Sequence, residues 1–175
     1  MKALIKDSII TLVLAAVIYF VFQSLMYQCV IEQTSMEPNI SEGQRIFVNK
    51  AEYFFGEPER GDIIIFWKPE VNEEKPLIKR IIGLPEETIS IETGTVYIDG
   101  VPLDEPYLVD DPDYSLASYI IPEDHYFVLG DNRNGSYDSH YGWTVDREVI
   151  IGKAWLNIWP MDRWGLAPNY AFADN

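Results

Sequence analysis

The chain has 175 residues, 47% of them hydrophobic, which suffices for one domain with its own core and hardly for two. Its 13 basic and 28 acidic residues leave a net charge of −15, which phosphate backbones and anionic headgroups would repel. This argues against general nucleic-acid binding and requires any membrane attachment to be hydrophobic. The single cysteine, Cys29, allows neither an intrachain disulfide nor a thiolate cluster, and with only His125 and His140 a histidine-rich zinc site is short of ligands.

Asp7 and Glu32 bracket 24 residues without a charge. As a helix, Ser8 to Val30 would extend roughly 35 Å, against a hydrocarbon core of about 30 Å. Tyr19, Tyr27 and Gln28 suit an interfacial end. Tyr27-Gln28-Cys29 is too bulky for removal of the segment as a targeting sequence or for lipidation, so Cys29 reads as a small buried hydrophobe. Lys2 and Lys6 precede the span and no basic residue follows it until Arg45, which places the amino terminus in the cytoplasm. The expected organisation is a cytoplasmic tail over 1–7, a transmembrane anchor over 8–30 and an extracytoplasmic domain over 31–175.

Beyond the anchor the pattern is β. Gly61-Asp-Ile-Ile-Ile-Phe-Trp and Pro76-Leu-Ile-Lys-Arg-Ile-Ile-Gly are short apolar runs bounded by Gly or Pro, the length of strands. Thr88-Ile-Ser-Ile-Glu alternates with period two, and Thr95-Val-Tyr-Ile runs into a tight Asp99-Gly100 turn. His125-Tyr-Phe-Val-Leu-Gly and Val149-Ile-Ile-Gly-Lys-Ala-Trp are further strands, while Pro106 to Ser118 is a polar surface excursion. His125 itself reads as a residue that starts a strand. The fold class is mainly β: one compact catalytic core behind an amino-terminal helix, with a small inserted lobe over about 84–125.

Four stretches carry chemistry: Ser35-Met-Glu-Pro, Arg60-Gly-Asp, Lys79-Arg-Ile-Ile-Gly-Leu-Pro and Gly130-Asp-Asn-Arg-Asn-Gly-Ser-Tyr-Asp-Ser-His. Lys79 sits in a strand, where alternation sends either Lys79 or Arg80 inward and leaves the other to solvent. An amine in an apolar site loses solvation of its charged form and its pKa falls. Such a lysine can deprotonate a serine hydroxyl without a histidine. Taken singly, Ser35 reads as a turn residue, Lys79 as a snorkelling strand lysine and the Gly130 stretch as a loop of Asx turns. Their order and spacing carry the signal.

Behind one amino-terminal span, these stretches resemble type I signal peptidases (leader peptidases) from the anchor to Trp159-Pro160. The resemblance implies a Ser/Lys-dyad serine endoprotease with a mainly β fold, whose catalytic core is shared with the self-cleaving SOS-repressor proteases. It implies removal of signal peptides from exported preproteins after small residues, typically Ala-x-Ala. No cofactor or metal is implied, and the enzyme would work beside the translocation machinery, in a plasma or thylakoid membrane. Carried over residue by residue, Ser35 matches the nucleophile, Lys79 the general base and the Ser35 N–H one oxyanion donor. Ser136 matches the serine that orients the base, and Asp131, Arg133 and Asp138 match its polar framework. Ile31, Met36, Ile40 and Ile78 match the apolar lining of the substrate pockets. The extended substrate would add as a strand beside Ile31–Gln33 and the segment holding Ile78.

Three positions depart from the pattern. Gln33 stands where the family has Gly or Ser, whose hydroxyl in some members completes the oxyanion hole; Thr34 and the Gln33 amide are the candidates to replace it. Asn39 stands where Thr is usual. His140 replaces an Arg, so a carboxylate–guanidinium bridge becomes an Asp138–His140 pair. Gln33 and His140 motivate one alternative, a catalytically impaired relative acting as a binding or assembly factor in secretion. A self-cleaving repressor would need a DNA-binding domain, for which the anchor and the net charge leave no place.

Overall fold

The computed structural model describes residues 2–68, 70 and 75–172. Met1, Pro69, residues 71–74 and the last three residues of the expected 31–175 domain lie outside that description. Helix α1 covers Lys2–Leu25, and its stretch from Lys6 to Leu25 is long and apolar enough to cross a membrane. Its described side chains are exposed, so their burial requires an apolar medium other than the protein core.

The helix expected to reach Val30 stops at Leu25. Met26–Val30 is instead strand β1, paired antiparallel with β2, Arg45–Asn49, in the register Met26↔Asn49 to Val30↔Arg45. The uncharged run holds two elements: hydropathy reads both alike, but a partner strand offers residues 26–30 a ladder and the core a place for Cys29.

The remaining elements are a one-turn helix α2 (Glu52–Phe55) and strands β3 (Ile63–Phe66), β4 (Leu77–Gly83), β5 (Thr88–Glu92), β6 (Thr95–Ile98), β7 (Val101–Pro102), β8 (Leu116–Ile120), β9 (His125–Leu129), β10 (Val145–Asp146), β11 (Ile150–Trp159) and β12 (Gly165–Leu166). Among the described residues, one antiparallel sheet has the order β1-β2-β11-β3-β4-β9-β10, with β12 on β11. A second sheet, in the order β7-β6-β5-β8, lies within the segment expected to form the small lobe. Asp99 and Gly100 both have positive φ, which suits the turn between β6 and β7.

The expectation that only one of Lys79 and Arg80 would face inward is corrected: every residue of β4 is buried, with Lys79 2% and Arg80 0% exposed. β4 lies between β3 and β9, and its Arg80 face is covered as well. The Arg80 guanidinium packs 4.0 Å from the Tyr107 ring and donates to Gly61 O and Pro168 O, each at 3.0 Å. Alternation still holds along the strand; it is the second face that is not open to water.

Candidate active site

Ser35 lies in the turn that follows β1, and β4 delivers Lys79 to it. Lys79 Nζ donates to Ser35 Oγ at 2.6 Å, and both residues are buried. Burial lowers the lysine pKa from 10.5 to about 8, while the negative charges of Asp138 and Asp131 pull the other way. Desolvation wins, because the carboxylates act from a distance and no carboxylate hydrogen-bonds the amine among the described residues. A lysine near pKa 8 is neutral often enough at mild pH to take a proton from a hydroxyl 2.6 Å away.

The turn carrying Ser35 is closed by Glu37 N–H donating to Thr34 O at 3.1 Å and Ile40 N–H to Met36 O at 2.9 Å. It is tied to the loop after β9, where Asn132 N–H donates to Ser35 O at 3.0 Å. Gly130 makes that approach feasible: a Cβ there would lie 2.3 Å from Ser136 Oγ and 2.4 Å from Ser35 O. Among the described residues the Ser35 N–H donates to no oxygen, and the side chains of Gln33 and Thr34 make no hydrogen bond. Three donors near the nucleophile are therefore uncommitted.

The framework residues come together. Asp131 receives Arg80 Nε and Nη2 at 2.8 and 2.7 Å, with both partners buried. Asn39 Nδ2 donates to Asp131 Oδ2 at 2.8 Å and to Tyr107 O at 3.0 Å, so the departure at position 39 ties the nucleophile turn to β4 through a shared carboxylate. Arg133 donates to Glu105 at 2.9 and 2.5 Å and to Gly130 O at 3.1 Å. Asp138 accepts from Gly130 N–H at 2.9 Å, and its other oxygen lies 2.6 Å from His140 Nδ1.

Ser136 is placed beside Gly130 and the nucleophile's carbonyl, yet its buried Oγ has no hydrogen-bond partner and does not hold the amine. Ile31, Met36, Ile40 and Ile78 are all brought into one apolar cluster, each at most 3% exposed, forming a packed floor under the nucleophile turn. An open recess of about 260 Å³ next to the nucleophile turn is lined by Glu37, Pro38, Val109, Asp110, Asp131, Asn132 and Arg133, and neither Ser35 nor Lys79 lines it. Sequence reading missed Glu105 and Tyr107, which clamp the framework from the polar excursion; the signal was the cluster Asp104-Glu-Pro-Tyr at its start.

His140 stacks on Tyr114 with ring centroids 4.0 Å apart, and its Nδ1 can donate to Asp138 in the neutral as in the charged form. His140→Arg is therefore expected to keep kcat/KM within about threefold and thermal stability unchanged or higher. A loss beyond about tenfold in a well-folded variant would place His140 in the chemistry itself.

Comparisons with known proteins point to one family. The family model described as "Signal peptidase, peptidase S26" matches residues 2–159. A probable signal peptidase I-2 from Synechocystis is 42% identical over 140 residues, which are 78% of this chain and 64% of that protein's own length. A probable signal peptidase I-1 from the same organism is 38% identical over 178 residues, covering 96% of this chain and 89% of the relative. The crystal structure of a signal peptidase I from Enterococcus faecalis superposes with a TM-score of 0.50 at 34% identity, covering 56% of this chain and 97% of that one.

Proposed function

This chain belongs to the signal peptidase, peptidase S26, family, and from that membership and the site geometry we propose that it is a membrane-anchored serine endopeptidase that cuts signal peptides from exported preproteins after Ala-x-Ala. The observation that carries the reading is the buried Lys79 Nζ–Ser35 Oγ hydrogen bond of 2.6 Å. Neutral Lys79 takes the hydroxyl proton as Ser35 Oγ attacks the scissile carbonyl. The resulting ammonium protonates the leaving amine, and the amine then activates the water that hydrolyses the acyl-enzyme. The Ser35 N–H and one of Gln33 or Thr34 stabilise the oxyanion. Asp131, Arg133 and Asp138 hold the framework around the base and the nucleophile turn. Ile31, Met36, Ile40 and Ile78 limit the substrate side chains to small ones, because a closely packed floor has no room for bulk.

α1 holds the domain on the extracytoplasmic face, with the amino terminus in the cytoplasm, in a plasma or thylakoid membrane beside the translocation machinery. Enzyme and signal segment then share one bilayer, which raises their effective concentration.

The test is mass spectrometry of an Ala-x-Ala preprotein incubated with the detergent-solubilised full chain at several pH values. The expected product ends at the second alanine. Because the base acts neutral, the rate is expected to rise with pH and level off above about 8. The same depressed pKa means that the unfolded chain binds the extra proton between about 8 and 10.5, so this group adds stability as pH climbs through that window. No cleavage by the folded chain at any pH would turn the reading to an assembly factor.

A further inference from the structure

The Arg80 face of β4 is closed by a segment that the proposed reaction does not use, residues 167–172. The family match ends at residue 159, so this segment lies beyond it. Ala167 N–H donates to Trp155 O at 2.8 Å, which fixes the start of the segment on β11. From there the chain crosses β3 and β4 and reaches the inserted lobe.

Its polar groups join those strands. The Asn169 side chain accepts from Ile63 N–H at 2.7 Å and donates to Ala154 O at 2.8 Å. Pairing between β3 and β11 runs from Ile150↔Phe66 to Lys153↔Ile64, so the amide stands at the next pair, where the strands part. It supplies there the acceptor and the donor that a peptide group would have supplied. Pro168 O accepts from Arg80 Nη1 at 3.0 Å. Tyr170 N–H donates to Gly61 O at 3.2 Å, and a Cβ on Gly61 would collide with Tyr170 O. The Arg60-Gly-Asp stretch thus carries glycine where this segment presses on it.

Rings complete the contact. Tyr170 and Phe172 have centroids 4.7 Å apart and meet Tyr107 at 5.4 and 6.3 Å. Tyr107 in turn covers the Arg80 guanidinium and receives Asn39 Nδ2 on its carbonyl. Arg80 is the neighbour of Lys79 on β4, and Asn39 lies in the turn that carries Ser35. One segment therefore bears on both Lys79 and Ser35 through their neighbours.

We propose that residues 167–172 are a clasp that positions Lys79 against Ser35, with Asn169 and the Tyr170 ring as its positioning residues. The inference rests on the Ser/Lys reading of the site. A β4 strand held at Arg80 cannot tilt, which keeps the 2.6 Å approach of Lys79 Nζ to Ser35 Oγ. Released, the strand lets the amine withdraw and water reach it. A displacement of about 1 Å at a reacting group costs up to about a hundredfold in rate. The amine faces Ser35, and Asp138 and Asp131 are the charged groups whose fields reach it. Neither carboxylate bonds the clasp, so loosening acts through hydration: the ammonium gains water, and the pH of half-maximal rate climbs.

The test follows cleavage of an Ala-x-Ala preprotein by the detergent-solubilised full chain, with Ser35→Ala as the inactive baseline. For Asn169→Ala and Tyr170→Ala, kcat at pH 7.5 is expected to fall about tenfold or more with KM within about threefold. Their half-maximal pH is expected to rise by about half a unit or more. Tyr170→Phe keeps the ring and is expected to match the wild type. Phe172→Ala, at the edge of the ring cluster, is expected to move both quantities the same way and carries the test should the other two fail to fold. A lowered melting temperature with wild-type kcat and pH profile would make the segment a stabilising strap only and overturn the proposal. No cleavage by the folded wild type overturns the Ser/Lys reading and this inference with it. A cleaving wild type beside alanine variants that cleave equally well overturns the clasp alone.

Discussion

Lys79→Arg is expected to lower kcat/KM for a preprotein by about a thousandfold or more, to the level of Ser35→Ala. A guanidinium stays protonated at every accessible pH and cannot accept the hydroxyl proton, however well it is placed. Burial lowers the lysine pKa to about 8, and the same burial cannot bring an arginine into range. Lys79→Met, which keeps the length and removes the amine, is expected to fall equally far. Its stability is expected to lose the rise between pH 8 and 10.5 that the wild type draws from this group. Cleavage and thermal melts of the three variants decide the matter. A folded Lys79→Arg protein that cleaves like the wild type would remove lysine as the base, and an active Ser35→Ala protein would remove the nucleophile.

The contact between Lys79 and Ser35 is legible because both residues sit in strongly patterned sequence. Lys79 interrupts an apolar run that could only be a strand, and Ser35 is followed by a proline-bearing turn a few residues past an uncharged span. β3, β4, β9 and β11 are legible as short apolar runs, β5 by its alternation and β6 by the Asp99-Gly100 turn that ends it. The failures have physical causes too. β1 lay concealed in the uncharged run because hydropathy does not distinguish lipid from a partner strand. Alternation predicts one of Lys79 and Arg80 in solvent because it fixes opposite faces, not what covers each of them; the structure covers the Arg80 face as well. Its cover, Tyr107 and the backbone of Pro168, comes from segments 27 and 88 residues away. Glu105 was missed on similar grounds, since a carboxylate in an acidic loop looks like every other until Arg133 is found beneath it. Local patterns reveal which residues are unusual; long-range closure decides what they touch.

That closure makes Asp131→Ala the largest stability change expected in the molecule. Arg80 is fully buried, and the two bonds it gives Asp131 are what make its charge tolerable there. Removing the carboxylate leaves a guanidinium with only carbonyl oxygens and the Tyr107 ring for company, a loss of about 3–5 kcal/mol. For a domain of this size, that lowers Tm by on the order of 10 °C. The half-exposed Lys75–Glu32 pair sets the contrast: water screens it, and Glu32→Gln is expected to cost under about 1 kcal/mol. Asp131 has a second debt in the site, because Asn39 reaches it from the nucleophile turn while Arg80 reaches it from the strand that carries Lys79. The variant is therefore expected to lose turnover even at temperatures where it stays folded, as Ser35 and Lys79 lose their common tie. Thermal melts followed by circular dichroism, with cleavage assayed well below the transition, test both effects. A melting temperature within about 2 °C of wild type would mean that the buried pair is dispensable to the fold. Full turnover in a destabilised variant would show that the 2.6 Å approach of Lys79 to Ser35 is set by the strands alone.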